Sequence, residues 1–481
     1  MTDQLRPWTV VTGAAGGLGR EVAARLSARG ERVLWLMHPS ESDAPLPLGP
    51  HDAREVLDFA AEDAGDRIAE LCGRYSDVAS LVHCAGRGCY SRLAALTDDD
   101  ALAVLRVNFT APVLLTHAWW RTVVAHRGAV TLVSSVVAAS RNPQYSLYCA
   151  AKAALEHFGR SLQAEEPRVA VLIARPGALR TTFHARSGVP FPIRHALPPE
   201  VAAEVLVPLI GRRGVRYFRA WERLIPAVHR IRDVAELLLP ARRRWPVGAP
   251  TAISGASAGI GAALRAAMTR DGMASIGWAR RGGTDVAPMD VRAWRTVLLL
   301  DVRGLVLNAG VNHAGRLADV PREAVAEMLQ TNAEATVMLA LRHLRASALE
   351  PERWLLIVSS LATQLGYPGS AVYGATKELV SRVGLALGST ESLWTGVVWP
   401  GPVDTMQARR ASPRGDAGDG RMDADLFAAT VWAAVKRGER RIFGRPGWRV
   451  AAVVGLLLPG VVLRIMRRMM LPADRPRRSG I

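Results

Sequence analysis

Trp8-Thr9-Val10-Val11-Thr12-Gly13-Ala14-Ala15-Gly16-Gly17-Leu18-Gly19 opens this chain of 481 residues with an apolar strand pattern that runs straight into a glycine-rich loop. Thr251-Ala252-Ile253-Ser254-Gly255-Ala256-Ser257-Ala258-Gly259-Ile260-Gly261 repeats it in the second half. Each loop leads into an alanine-rich helical stretch (Arg20–Arg29; Ala262–Arg270), a glycine (Gly30; Gly272) and a second apolar strand (Arg32–Met37; Ala274–Trp278). Strand, helix and strand at that spacing form a βαβ unit, and further alternation predicts a doubly wound parallel sheet. The fold class read from the sequence is therefore α/β, two Rossmann-type domains in tandem, since self-similarity at this scale marks a duplication.

The length accommodates two domains with substantial cores, and 49% apolar against 22% charged residues describes a globular protein. The boundary is expected in the basic, proline-bracketed stretch Pro240-Ala241-Arg242-Arg243-Arg244-Trp245-Pro246, giving domains 1–241 and 242–481. The copies are unequal. His38 to Gly86 covers 48 steps and Arg280 to Gly310 covers 30, so the third helix of the second half should be cut short.

A second repeated pattern carries chemistry. The chain has three lysines among its 61 lysines and arginines, and two of them follow a tyrosine by four residues: Tyr148 and Lys152, Tyr373 and Lys377. Spacing i,i+4 sets both side chains on one face of a helix. A phenol titrates near pH ~10, and a neighbouring ammonium should favour the phenolate and lower that value.

The loops read G-x-x-x-G-x-G. Together with the two Y-x-x-x-K pairs, they make each half resemble the short-chain dehydrogenases/reductases over nearly the whole chain. The resemblance implies a Ser–Tyr–Lys triad with an assisting asparagine. Ser135 and Ser360 each stand 13 residues before their tyrosine, and Asn108 and Asn332 match the asparagine, so the catalytic set is Asn108, Ser135, Tyr148, Lys152, Asn332, Ser360, Tyr373 and Lys377. It also implies a nicotinamide cofactor on the helix N-terminus, held in the first half by Thr12, Gly13, Gly17, Leu18 and Gly19. The matching set in the second half is Ser254, Gly255, Gly259, Ile260 and Gly261. Asn308-Ala309-Gly310 matches the family's N-A-G turn, whereas His83-Cys84-Ala85-Gly86 departs from it while retaining Ala85 and Gly86. Pro176, Gly177 and Thr181, and Pro400, Gly401 and Thr405, match the segment contacting the nicotinamide carboxamide. Asp58 and Asp290 match the acid that contacts adenine. After the second strand, Arg280 and Arg281 favour NADP(H) in the second half. His38, followed by Pro39, leaves NAD(H) or NADP(H) open in the first.

Specificity in the family lies in the segments matching Phe183–Pro199 and Met406–Met422, and Ser412–Gly420 reads as a mobile lid. Each half ends in a basic turn, a short strand and an apolar helix (Leu224–Leu239; Val450–Met470). Val450–Leu463 is uncharged but shorter than the ~18–20 residues a membrane span needs. Packing against the protein or a partner subunit and peripheral contact with a membrane both stay open.

Net charge is +18, and Lys436–Arg478 holds twelve basic residues and two acids. That balance suits anionic surfaces, but no nucleic-acid motif accompanies it. Cys72, Cys84, Cys89 and Cys149 lack zinc spacing, and no metal is expected. They are read as reduced thiols of a cytoplasmic protein.

The reading is a tandem NAD(P)-dependent oxidoreductase interconverting secondary alcohol and ketone. Its substrate is a small molecule, free or carrier- or CoA-bound. Oxidation at one site and reduction at the other would give net epimerisation. The alternatives are two independent ketoreductions of polyketide or fatty-acyl type, or one catalytic half beside a structural one. A non-catalytic nucleotide sensor is disfavoured, because both halves keep the tyrosine and lysine. The assembly is a pseudo-dimeric monomer or a homodimer.

Overall fold

The computed structural model describes residues 6–190, 195–239, 242–245, 250–280, 282, 286–297, 299, 301–347, 352–365, 367–410 and 420–470. Arg281, most of the Ser412–Gly420 stretch and part of the boundary segment lie outside these.

The first half builds seven strands: β1 (Trp8–Thr12), β2 (Arg32–Met37), β3 (Ala53–Val56), β4 (Val78–His83), β5 (Ala129–Val133), β6 (Ala170–Arg175) and β7 (Gly214–Tyr217). The second repeats them as β8 (Thr251–Ser254), β9 (Ser275–Ala279), β10 (Val286–Pro288), β11 (Gly304–Leu307), β12 (Trp354–Val358), β13 (Trp394–Trp399) and β14 (Arg441–Phe443). Each half forms one parallel sheet, ordered β3-β2-β1-β4-β5-β6-β7 and β10-β9-β8-β11-β12-β13-β14. The central strands are buried on both faces and read as continuous apolar runs, as parallel strands between helix layers must. The strand order reverses at β1/β4 and at β8/β11, the switch points outside whose carboxyl ends such sheets bind their ligands.

Helix Gly17–Ala28 begins three residues before the Arg20 expected from the sequence, because its first turn is the glycine loop itself. Between β3 and β4 the first half has an eleven-residue helix, Ala64–Arg74, where the described residues of the second form the six-residue tight turn Val291–Thr296.

The halves pack on each other through helices Ser146–Glu165 and Ala371–Thr390, which carry the two tyrosine–lysine pairs. Leu155 and Phe158 share one buried cluster with Leu379 and Val383. Gly374 leaves room for an intruding ring: a Cβ there would lie 2.6 Å from His157 Nε2. Polar contacts join the seam. Arg106 pairs with Glu334 at 3.2 Å and Arg345 with Asp98 at 2.7 Å. The Glu165 carboxylate accepts the backbone N–H groups of Leu317 and Gly369.

The C-terminal segment of the first half crosses over the seam. Helix Leu224–Leu238 buries Leu237 with Val397, Trp399 and Phe443 of the second half. Its Asp233 pairs with Arg141 at 2.7 Å and with Arg382 at 2.8 Å, one arginine from each half. The single helix expected over Val450–Met470 is instead two, Pro446–Leu457 and Pro459–Met470, meeting at 116°. Pro459 has no N–H to continue the first helix, and it opens the second, where that N–H is not needed.

Candidate active site

Each glycine loop has the shape its residues impose. Gly13 and Gly255 have φ of +64° and +66°, and a Cβ at either would lie 2.9 Å from the backbone of Ala85 or Ala309. Gly19 and Gly261 approach the carbonyls of Gly13 and Gly255 so closely that no side chain fits. Thr12 Oγ1 accepts the Ala85 N–H at 3.0 Å, and Ser254 Oγ accepts those of Asn308 and Ala309 at 3.0 and 3.1 Å. Asn308 further donates to the carbonyls of Ser254 and Gly255. Leu18 is buried in the core of the first half and Ile260 packs against the core of the second, so each anchors its own loop.

No side chain caps helix Gly17–Ala28 or helix Gly259–Arg270. Their first N–H groups are left for an anion, and the macrodipole favours one there. Thr181 and Thr405 stand over the loops: a Cβ on Gly17 or Gly259 would lie 2.9 or 3.2 Å from their methyl groups. The carbonyls of Pro176 and Pro400 accept the N–H groups of Val136 and Leu361, tying the P-G segments to the serine turns. Gly177 and Gly401 abut Glu222 and Trp448 without room for a Cβ. The residues present thus fit a pyrophosphate-bearing dinucleotide in both halves.

The catalytic candidates converge in each half. Asn108 and Asn332 sit in π-helical turns, Arg106–Thr110 and Leu329–Ala335, a local widening that often marks functional positions. The Asn332 amide clamps the main chain of Val311, donating to its carbonyl and accepting its N–H, both at 2.8 Å. Asn108 does the same to Arg87, at 2.6 and 3.3 Å. Lys152 and Lys377 are buried and donate to the carbonyls of Val133 at 2.9 Å and Val358 at 3.2 Å. A Cβ on Gly310 would lie 3.1 Å from Lys377 Nζ and 3.2 Å from Asn332 Oδ1. On Gly86 the same distances, to Lys152 Nζ and Asn108 Oδ1, are 3.9 and 3.5 Å. A Cβ would crowd the lysine and asparagine in the second half and only touch them in the first. Ser135 and Ser360 begin the turns after β5 and β12 and are the side-chain partners of the Tyr148 and Tyr373 hydroxyls.

The expected lowering of the phenol pKa is not found. Burial raises Tyr148, and it pushes Tyr373 up to about 12, with the serine hydrogen bonds acting weakly the other way. The lysines lie 5.7 and 5.9 Å from the ring centroids and spend their nearest hydrogen bonds on main-chain carbonyls, so desolvation prevails. Burial also brings Lys152 and Lys377 down to about 8.

On the adenosine side the placements are less uniform. His38 Nε2 lies 3.7 Å from Asp58, whose carboxylate also accepts the Ala60 N–H. Asp290 is occupied by Arg292 and the turn it begins. Arg280 pairs with Glu327 at 2.6 Å, and Glu327 also holds His313.

Two residues escaped the sequence reading. Glu41 brings its carboxylate 3.3 Å from where a Gly16 Cβ would be, with Arg186 at 2.7 Å on its outer side. Glu156, one turn after Lys152, is buried with Arg175, whose Nε donates to it at 2.6 Å, and accepts the Ser134 hydroxyl at 2.7 Å. A charged pair at i,i+4 from the lysine was visible, but its burial was not.

The chain matches the short chain dehydrogenase family over residues 7–188 and 291–414, and it belongs to that family. It is similar to carbonyl reductase family member 4 of Danio rerio, at 31% identity over 185 residues, 37% of this chain and 77% of that protein. It also resembles the 3-oxoacyl-[acyl-carrier-protein] reductase FabG of Haemophilus influenzae, at 28% over 178 residues, 36% of this chain and 74% of that one. Among solved structures, a short-chain dehydrogenase from Streptomyces avermitilis aligns over 50% of this chain and 97% of its own, at 24% identity and a TM-score of 0.42.

Proposed function

We propose that both halves are working sites that interconvert a secondary alcohol and a ketone, with different cofactors and opposite net directions. The observation that carries the two-site reading is the repeated placement of buried lysine, clamped asparagine and open glycine beside each serine–tyrosine pair.

A nicotinamide cofactor bound on the glycine loops supplies or takes the hydride. The serine hydroxyl orients the substrate oxygen. In reduction that oxygen takes the phenolic proton as its carbon gains hydride, and in oxidation the proton returns to the tyrosine oxygen. The buried lysine sits beside the crevice glycine, placed to hold the cofactor ribose and the proton balance of the tyrosine. Both phenols rest protonated, ready to act as acids.

Unequal surroundings support unequal tasks. In the first half Glu41 sets a carboxylate against the loop and would repel a second phosphate on the adenosine, which favours NAD(H). In the second half Arg280 favours NADP(H). An NAD-linked oxidation followed by an NADPH-linked reduction inverts a carbinol centre, so net epimerisation of one substrate is the reading preferred. The protonated phenols favour one other reading, two independent ketoreductions, in keeping with the names of the reductases to which the chain is similar.

Tyr148→Phe and Tyr373→Phe, made separately and assayed with both cofactors on a panel of alcohols and ketones, test this. Each change should reduce its own site's turnover by about 10²–10⁴-fold, with NAD-linked oxidation lost in the first variant and NADPH-linked reduction in the second. Full activity in both variants would overturn the two-site reading. Two NADPH-linked reductions would overturn epimerisation alone.

A further inference from the structure

The C-terminal segments of the two halves form one layer. Helix Leu224–Leu238 packs against Pro446–Leu457, which bends into Pro459–Met470. All three rest on the seam: the first on the turn Val136–Ala139, the other two on the short helix Ala362–Leu365. Their inner sides are buried through Asp233 and Leu237, Ala452 and Gly455, and Val462. Beneath them lies a cavity of about 110 Å³ lined in part by Leu456 and Leu463.

The outer side is apolar and uncovered. Leu224, Val228, Ile231 and Leu238 follow one another at helical spacing and are 60 to 69% exposed. Val450, Val454 and Leu457 continue the face on the neighbouring helix, and Val461, Ile465 and Met469 beyond the bend, all at least 40% exposed. Large apolar side chains exposed elsewhere in the described residues are few and scattered. A contiguous apolar face of this kind marks an interaction site.

Its charge selects the occupant. Residues 440–470 hold seven arginines and no acid; Arg440 and Arg441 turn inward onto Gly388, Thr395 and Glu236, and Arg445, Arg464, Arg467 and Arg468 are exposed. The acids of helix Leu224–Leu238 are taken: Asp233 by Arg141 and Arg382, Glu236 by Arg141 and Arg441. A second copy seated here by two-fold symmetry would bring arginine rim against arginine rim. Each C-terminal helix has twelve residues, well short of the ~20 a span requires, and the 116° bend keeps the pair from forming one straight rod.

We infer that this face seats on an anionic lipid surface, with the apolar ridge in the headgroup–acyl boundary and the arginines on lipid phosphates. Both halves contribute to it, so it belongs to the assembled tandem chain.

Flotation of the full chain with vesicles tests this. Binding is expected to vesicles of equimolar phosphatidylglycerol and phosphatidylcholine, about tenfold weaker to pure phosphatidylcholine, and weaker with added salt. The triple variant Ile231→Glu, Leu457→Glu, Ile465→Glu should lose binding while keeping wild-type turnover and melting temperature, because all three side chains face outward. Arg464→Gln, Arg467→Gln, Arg468→Gln serves if the first variant misfolds; it should abolish the preference for phosphatidylglycerol. The inference fails if the wild type floats with neither vesicle, or if both variants float like the wild type. It also fails if the chain forms a concentration-dependent dimer that the glutamate variant dissolves and no vesicle binds.

Discussion

Beneath Ser135 lies an ion pair; beneath Ser360, at the matching place, lies a hydrogen-bonded pair of uncharged side chains. In the first half Ser134 donates to Glu156, which Arg175 and Arg160 hold. In the second half Ser359 meets Ser381 at 2.5 Å, and Trp399 donates its indole N–H to Ser381 at 3.2 Å. The backbone is the same and both solutions satisfy every partner, so the difference concerns charge. Glu156 holds a negative charge one turn from Lys152 and helps keep its ammonium, and no acid does this for Lys377. Above the sites the halves diverge again. Phe183, two residues after Thr181, lies 5.6 Å from the Tyr148 ring within a group that includes Tyr145 and Tyr90. Gln407, two residues after Thr405, bridges Gly310 O and Asn312 N at 3.3 Å each, its amide oriented to satisfy both. An aromatic ring stands beside the tyrosine of the first half, and an exposed amide stands beside the glycine turn of the second.

The largest effect should come from breaking the charged pair. Arg175→Met takes from buried Glu156 the arginine that donates to it through two nitrogens, leaves only the partly exposed Arg160, and should lower unfolding stability by about 3 kcal/mol in urea titrations. Adding Glu156→Ser to Arg175→Trp, which copies the second half, should recover most of that loss. If the copied pair is no better than Arg175→Met alone, the two arrangements are not equivalent solutions.

Acid comes next. Burial holds His83 down to about 3 and His157 and His343 at about 4, below the ordinary 6.5. They are neutral in the folded protein and protonated once unfolded, so the folded state binds fewer protons and stability falls as pH drops through 6.5. Burial pushes Glu165 up to about 7, so the folded state gains a proton there and opposes the trend by one. Between pH 6.5 and 4.5 the net difference approaches two protons, each worth about 1.4 kcal/mol per pH unit. Urea melts across that range should show it, with His157→Gln reducing the slope by about one proton. A flat profile would mean that these rings are not sealed from water.

The smallest expected effect is on selectivity. Exchanging Phe183→Gln and Gln407→Phe should shift each half's preference between aryl and polar ketones by about tenfold in kcat/KM, within the range one pocket contact provides. No shift would mean that these residues only pack.

Much of this was legible in the sequence for a physical reason. A glycine loop between strand and helix, and tyrosine and lysine on one helical face, depend on local geometry that a few residues impose. Hence the sheets, the loops and the convergence of Asn108, Ser135, Tyr148 and Lys152 with their counterparts could be read from spacing. The depth of burial could not. Lysine was expected to lower the phenols, but desolvation depends on how the halves close over the site, and it wins. Nor did spacing show that Asp290 pairs with Arg292 and caps the turn it begins.

The sequence by itself determined that this chain holds two copies of one fold, each with one set of candidate catalytic residues, because motif spacing survives whatever the surroundings do. The tertiary structure decided what separates the copies: Glu156 with Arg175 against Ser381 with Trp399, Phe183 against Gln407, and the placement of the Glu41 carboxylate beside Gly16. It also decided that Leu224–Leu238 crosses to the other half and shares an exposed apolar face with the last two helices. These depend on contacts between residues far apart in the chain, whose energies come from burial and charge pairing rather than from local sequence.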